Sequence, residues 1–149
     1  MVQPQTPSMQ DFLGIRVTEL SPSGLCATMP VTERSSQIHG LLNGGASLAM
    51  CEICSGTLSE YLLKGTGKIA LGISVSASHL NTARLGETVT CTVRPVKIGR
   101  RLHVTEAEIR NGAAVILCRA TLTHLITEPP SSAPEDPAPE SHKPTTDAP

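Results

Sequence analysis

"QIHGLLNGGASLAMCEICSGTLSEYLLKGTGK", residues 37–68, leads from a polar loop through a glycine pair into small and apolar positions that run from Gly45 to about Lys64. The run contains no β-branched block, is built from Ala, Leu, Met and Cys, and stops at a Lys-Gly-Thr-Gly-Lys cluster, so it predicts one long helix. At 100° per residue Ala46, Ala49, Met50, Ile53, Cys54 and Tyr61 share one broad face, the expected core face, while Glu52, Ser55 and Ser59 fall on the opposite strip. The plain reading of that strip is a solvated one. Two features count against it: Leu48 and Leu63 lie on the same strip, and the paired glycines at the helix start let the backbone approach a ligand closely. A helix start also presents unpaired N–H groups and the positive end of the dipole, which can polarise a carbonyl. Glu52 is therefore the residue to explain, because a carboxylate in a core-like segment is costly unless paired or neutralised.

Working outward, "MQDFLGI" predicts a short helix or turn, and "LGIRVTELSPSGLCATMPV" two strands around a Ser-Pro-Ser-Gly turn. Downstream, "KIALGISVSASHL" alternates apolar and small polar residues with period two, and residues 87–127 supply three long strands with an Asn111-Gly112 hairpin signal. Two strands, one long helix and four more strands predict an α+β layer in which one antiparallel sheet curls over one buried helix. From Glu128 onward the chain reads "EPPSSAPEDPAPESHKPTTDAP", too poor in apolar residues to order itself. The expected division is a folded unit over 1–127 and a disordered tail over 128–149.

Composition narrows the function. The chain has 149 residues, a net charge of −1, 39% hydrophobic residues, one Phe, one Tyr and no Trp. Neither a basic face for phosphate backbones nor aromatic platforms for bases are present, so no nucleic-acid partner is expected. No run approaches the roughly 20 apolar residues of a membrane span, and no leader pattern is visible, which reads as a cytoplasmic protein with no membrane partner. The five cysteines, Cys26, Cys51, Cys54, Cys91 and Cys118, sit in apolar context. "CEIC" has redox or zinc spacing but no second ligand pair, and reads as reduced core cysteine; no metal site is expected.

The pattern Q-x-x-G-L-L-N-G-G-A-S-x-x-x-x-E, followed by "SASHLNTARLGETVTCTVRPVKIGRRLHVTEAEIRN", resembles the hotdog-fold acyl-CoA thioesterases of the phenylacetate-degradation, dihydroxynaphthoyl-CoA and enterobactin-proofreading group, over about residues 10–126. The resemblance implies a curved antiparallel sheet wrapped around a long central helix, a homodimer joined sheet edge to sheet edge, assembly as a dimer of dimers, and an acyl-CoA or aryl-CoA substrate with no cofactor. It implies that Glu52 is the catalytic carboxylate, as general base or nucleophile, that Gly44 offers its N–H to the thioester oxygen, and that Gln37 helps hold the water or the carbonyl. Where relatives carry His in a His-Gly-Gly motif this chain has Asn43, whose amide can donate a hydrogen bond but cannot be protonated. His39, four residues earlier, either compensates or serves the loop. Two other readings of the same fold are an acyl-CoA binder that does not hydrolyse and a dehydratase, whose Asp/His pair has no counterpart here.

Gly44 and Glu52 are eight residues apart, roughly 12 Å along one helix at ~1.5 Å per residue. One thioester carbon cannot touch both. If both act on one bond they come from different chains, with the start of one helix facing the middle of the other. Lys97, Arg100 and Arg101 are the only clustered cations for the phosphates of coenzyme A, or else a solvated turn. His79 and Leu80 end the strand that borders the substrate tunnel in relatives, and His79 reads equally as an edge histidine. His103, His124 and His142 carry no assignment.

Overall fold

The computed structural model describes residues 7–130, in the order α1 (Met9–Leu13), β1 (Arg16–Ser21), β2 (Gly24–Pro30), α2 (Gly44–Leu62), β3 (Ile69–His79), β4 (Thr88–Ile98), β5 (Leu102–Arg110) and β6 (Ile116–Thr127). The tail from 131 onward lies outside the described residues. The long helix starts one residue before the expected glycine because Asn43 caps it: the Asn43 side chain accepts from the Gly45 N–H at 2.7 Å. α1 opens with a capping box between Ser8 and Asp11.

The six strands form one antiparallel sheet in the order β1-β2-β4-β5-β6-β3. Strands adjacent in sequence are therefore not always adjacent in the sheet. After α2 the chain returns to the far edge as β3, pairs only with β6, and then crosses back so that β4 can pair with β2. The predicted hairpin at Asn111-Gly112 is present, lengthened to a loop in which the Asn111 Oδ1 accepts from the N–H groups of Ala113 and Val115.

α2 lies in the concave face of the sheet, and the core forms between them from Leu25, Met29, Met50, Leu58, Ile109 and Leu122 with their neighbours. The buried arc of α2 is Ser47, Met50, Cys51, Cys54, Ser55, Leu58 and Ser59. This corrects the expected helix orientation. Of the expected core face only Met50 and Cys54 are buried, and Ser55 and Ser59, placed with Glu52 on the opposite strip, are fully enclosed. Ser55 is accommodated because its hydroxyl pairs with that of Thr105 on β5. Glu52 thus sits at the margin of the buried arc.

Four cysteines of the core, Cys51, Cys54, Cys91 and Cys118, are fully buried and free. Burial and the neighbouring Cys51 push the Cys118 thiol up to about 12, so it stays protonated and unreactive at neutral pH.

Candidate active site

α2 runs along the edge strand β3, in the opposite sense. Its first residue, Gly44, faces the far end of β3, where an added Cβ would lie 3.1 Å from His79 Nε2. Its middle residue Glu52 faces Gly72, and near its end Glu60 accepts from the Ala70 N–H at 2.6 Å. Two groups of side chains follow, one at the helix start and one at its middle.

At the start, Asn43, Gly44 and His79 come together. The Asn43 Oδ1 is committed to the cap, which leaves its Nδ2 as the free donor, and the Gly44 N–H belongs to the first turn, where no helical acceptor exists. Gln37 and His39 stand in the preceding loop. There the Gln37 Oε1 takes the His39 N–H, and the Gln37 N–H donates to the Leu41 carbonyl at 2.8 Å. This loop is held against residues 83–85 by the Leu42 N–H on the Ala83 carbonyl and the Leu85 N–H on the Gly40 carbonyl. His39 and Leu80 are exposed.

At the middle, the Glu52 side chain is 39% exposed. A Cβ built on Gly72 would land on Glu52 Oε1, so only glycine at this position leaves the carboxylate its place. His124 approaches the same oxygen, with Nε2 at 3.6 Å and a side chain only 2% exposed. Gly72 is the cross-strand partner of His124, and His124 of His103, so one row across β3, β6 and β5 forms the floor under Glu52. Burial holds the His124 imidazole below its ordinary range, partly offset by the negative charges of Glu52 and Glu60; burial likewise lowers His103, with His124 adding to it. The sequence pattern does not mark Gly72 or His124 as site residues. A glycine inside a strand pattern was the available signal, since it marks a bulge or a close approach.

The remaining expected residues lie elsewhere. Lys97, Arg100 and Arg101 are exposed on the β4–β5 hairpin, at the sheet end that holds Leu71, because Leu102 pairs with Leu125 and Leu125 with Leu71. His79 pairs with Cys118 at the opposite end. Within one chain the cations and the His79/Leu80 pair are therefore not brought together, nor are Gly44 and Glu52. A concavity of about 740 Å³ on the other face of the sheet, lined by Thr92, Arg94, Glu106 and Arg119 among others, holds none of these residues.

What the chain does hold is a carboxylate with open access and, at a helix start, unpaired N–H donors, the two kinds of group that hydrolysis of an activated acyl group can draw on. Both lie along the free edge of β3, where Leu71, Ile73 and Val75 are 48%, 57% and 42% exposed. Among the described residues that edge has no partner strand.

Comparison with known proteins shows the family. Residues 39–123 match the family model described as "Thioesterase superfamily". The 1,4-dihydroxy-2-naphthoyl-CoA hydrolase of Escherichia coli is 34% identical over 119 residues, 80% of this chain and 86% of that protein. The solved structure of a thioesterase from Haemophilus influenzae superposes with a TM-score of 0.77 at 31% identity, covering 83% of this chain and 85% of that one. A Staphylococcus aureus thioesterase superposes equally well, at 0.77 and 28% identity over 80% of this chain and 98% of that one. It was crystallised as a Glu→Ala and as a Gln→Ala variant, and the two substituted positions are 15 residues apart. Gln37 and Glu52 have the same separation.

Proposed function

The chain belongs to the thioesterase superfamily and is a hotdog-fold thioester hydrolase, and from that premise we propose that it cleaves acyl-CoA or aryl-CoA thioesters at a site completed by a second copy of itself. The observation that carries the proposal is the placement of Glu52: a half-open carboxylate seated over Gly72, on a strand whose outer edge is free among the described residues. An exposed apolar edge strand of 11 residues is a surface that proteins normally cover. Antiparallel pairing of two β3 strands about an axis near Val75 and Ser76 would set Gly72 opposite the partner's His79. Each Glu52 would then face the helix start of the other chain, which is what the ~12 Å between Gly44 and Glu52 demands. The same pairing would carry Lys97, Arg100 and Arg101 toward the end of the sheet where the other chain holds His79 and Leu80.

In this reading the thioester oxygen is held by the Gly44 N–H and the Asn43 Nδ2, with Gln37 turning from its loop to hold the water or the carbonyl. On one route Glu52 of the other chain takes a proton from water as the water oxygen attacks the carbonyl carbon, and the C–S bond then breaks with the CoA sulfur leaving as thiolate and taking up that proton. On the other Glu52 attacks the carbon itself and the thiolate leaves as a mixed anhydride forms; water then hydrolyses the anhydride, freeing Glu52 and supplying the proton to the thiolate. Either route releases a carboxylate. Asn43 cannot supply a proton, so the sulfur relies on its own low basicity and on the proton that comes from water.

The test is release of free thiol from benzoyl-CoA, phenylacetyl-CoA and hexanoyl-CoA. Glu52→Gln, isosteric but unable to act as base or nucleophile, is expected to lower kcat by about 10² or more in a folded protein. Near-wild-type turnover by that variant removes Glu52 from the mechanism, and binding of all three thioesters without thiol release by the native chain makes it a binder instead.

A further inference from the structure

Taking the proposed role of Glu52 as given, we propose that His124 is a positioning residue for the reaction, an imidazole standing on the sheet floor, between sheet and helix, that fixes the Glu52 carboxylate in the niche cleared by Gly72. Glu52 Oε1 meets both, 3.6 Å from His124 Nε2 and against the bare Cα of Gly72. His124 is enclosed: its side chain is 2% exposed, its Nδ1 has no hydrogen-bond partner, and the Gly56 backbone, one turn beyond Glu52, closes over Nε2 at 3.5 Å from where a Cβ would stand. A buried polar ring without a partner is costly, and Glu52 is the polar group its Nε2 faces. A neutral imidazole carries one N–H. With a carboxylate 3.6 Å from Nε2 and no hydrogen-bond partner at Nδ1, electrostatics favours that hydrogen on Nε2.

The groups around His124 are few: Glu52 and Glu60 from α2, His103 from β5, and from β3 the glycine with no side chain. His124 approaches Glu52 from the sheet side, and the carboxylate beside it keeps 39% of its side-chain exposure, so this contact leaves it accessible. In a chain with Asn43 at the helix start, the carboxylate has no imidazole among the residues of that entrance loop other than the exposed His39. His124 supplies one from below.

Two variants and one spectroscopic measurement test this. His124→Gln keeps an N–H close to the Nε2 position and His124→Leu removes it. With the best turned-over of the three thioesters above, His124→Leu is expected to lower kcat at least tenfold with KM within twofold, His124→Gln to recover most of that loss, and His124→Leu to add nothing once Glu52→Gln is present. Independently of turnover, the ring proton of His124 followed by NMR should titrate at lower pH in Glu52→Gln than in the native chain, since a negative charge has been removed from beside it. An unmoved His124 titration, a kcat for His124→Leu within twofold of native, or an equal loss in the Glu52→Gln background overturns the role of His124 while leaving the thioesterase reading intact. If His124→Leu does not fold, His124→Gln and the titration decide alone. If the native chain cleaves no thioester, the thioesterase reading fails, and the titration still tests the contact.

Discussion

Gly72 and Glu52 divide one small volume between them, and the histidines of the row beneath, His124 and His103, are sealed from water. That sealing has a thermodynamic consequence. Burial lowers the proton affinity of His103 and His124 in the folded chain relative to the ordinary 6.5. As pH falls below 6.5 the unfolded chain takes up protons at these positions and the folded chain does not, so stability is full above 6.5 and is lost progressively until the pH reaches the lowered folded values. We expect the melting temperature to fall between pH 7 and pH 5, and the fall to be shallower in His103→Gln/His124→Gln; parallel curves would mean that neither imidazole is buried in its neutral form. Of this group the residue pattern revealed only Glu52, as a charge where a charge is costly. Gly72 and His124 escaped because they meet through the β3–β6 pairing, a contact between residues 52 positions apart that no local periodicity contains.

At the scale of the element, α2 was legible in extent but not in rotation. Its termini follow from Asn43 and from the glycines after Lys64, both local signals. Its buried arc does not, because Ala, Ser, Cys and Gly are so alike in size and polarity that the sequence pattern has no strong direction. The sheet decides, by offering Ser55 a hydroxyl partner on Thr105 and burying the serines that periodicity assigned to the outside. The cap and the chemistry proposed for Asn43 can be separated by one substitution. Asn43→Asp retains the cap oxygen and suits the positive end of the helix, so the melting temperature should hold or rise, whereas Asn43→Ala should cost about 1 kcal/mol. Asp cannot donate to a thioester oxygen and sets a negative charge beside it. We expect thiol release by Asn43→Asp to fall tenfold or more, on the scale of losing one oxyanion donor. Native turnover in this variant would confine Asn43 to capping.

For the whole molecule, the strands, the long helix and the α+β class were readable from alternation and turn signals, while the strand order was not, since the crossing of β3 to the far edge leaves no mark on either segment. That crossing is what puts α2 beside a free edge. The proposed two-chain site is testable by mixing Glu52→Ala with Gln37→Ala/Asn43→Ala, each nearly inactive alone. Refolded together at equal ratio, about half of the dimers are mixed, and each of those holds one intact site, so roughly a quarter of native activity should return. A mixture as inactive as its parents, with subunit exchange verified, would mean that the two halves do not meet across the β3 edge.

The free edge also governs how such an enzyme would respond to its own abundance. A lone chain would fold, bury its core and still possess only two unconnected half-sites. Its specific activity would not be a constant of the protein: below the dissociation constant of the pair, velocity would climb with the square of the amount of protein, and above it linearly. A cell that makes a little more of the chain would gain disproportionately in turnover, and one that makes a little less would silence it without unfolding a single molecule.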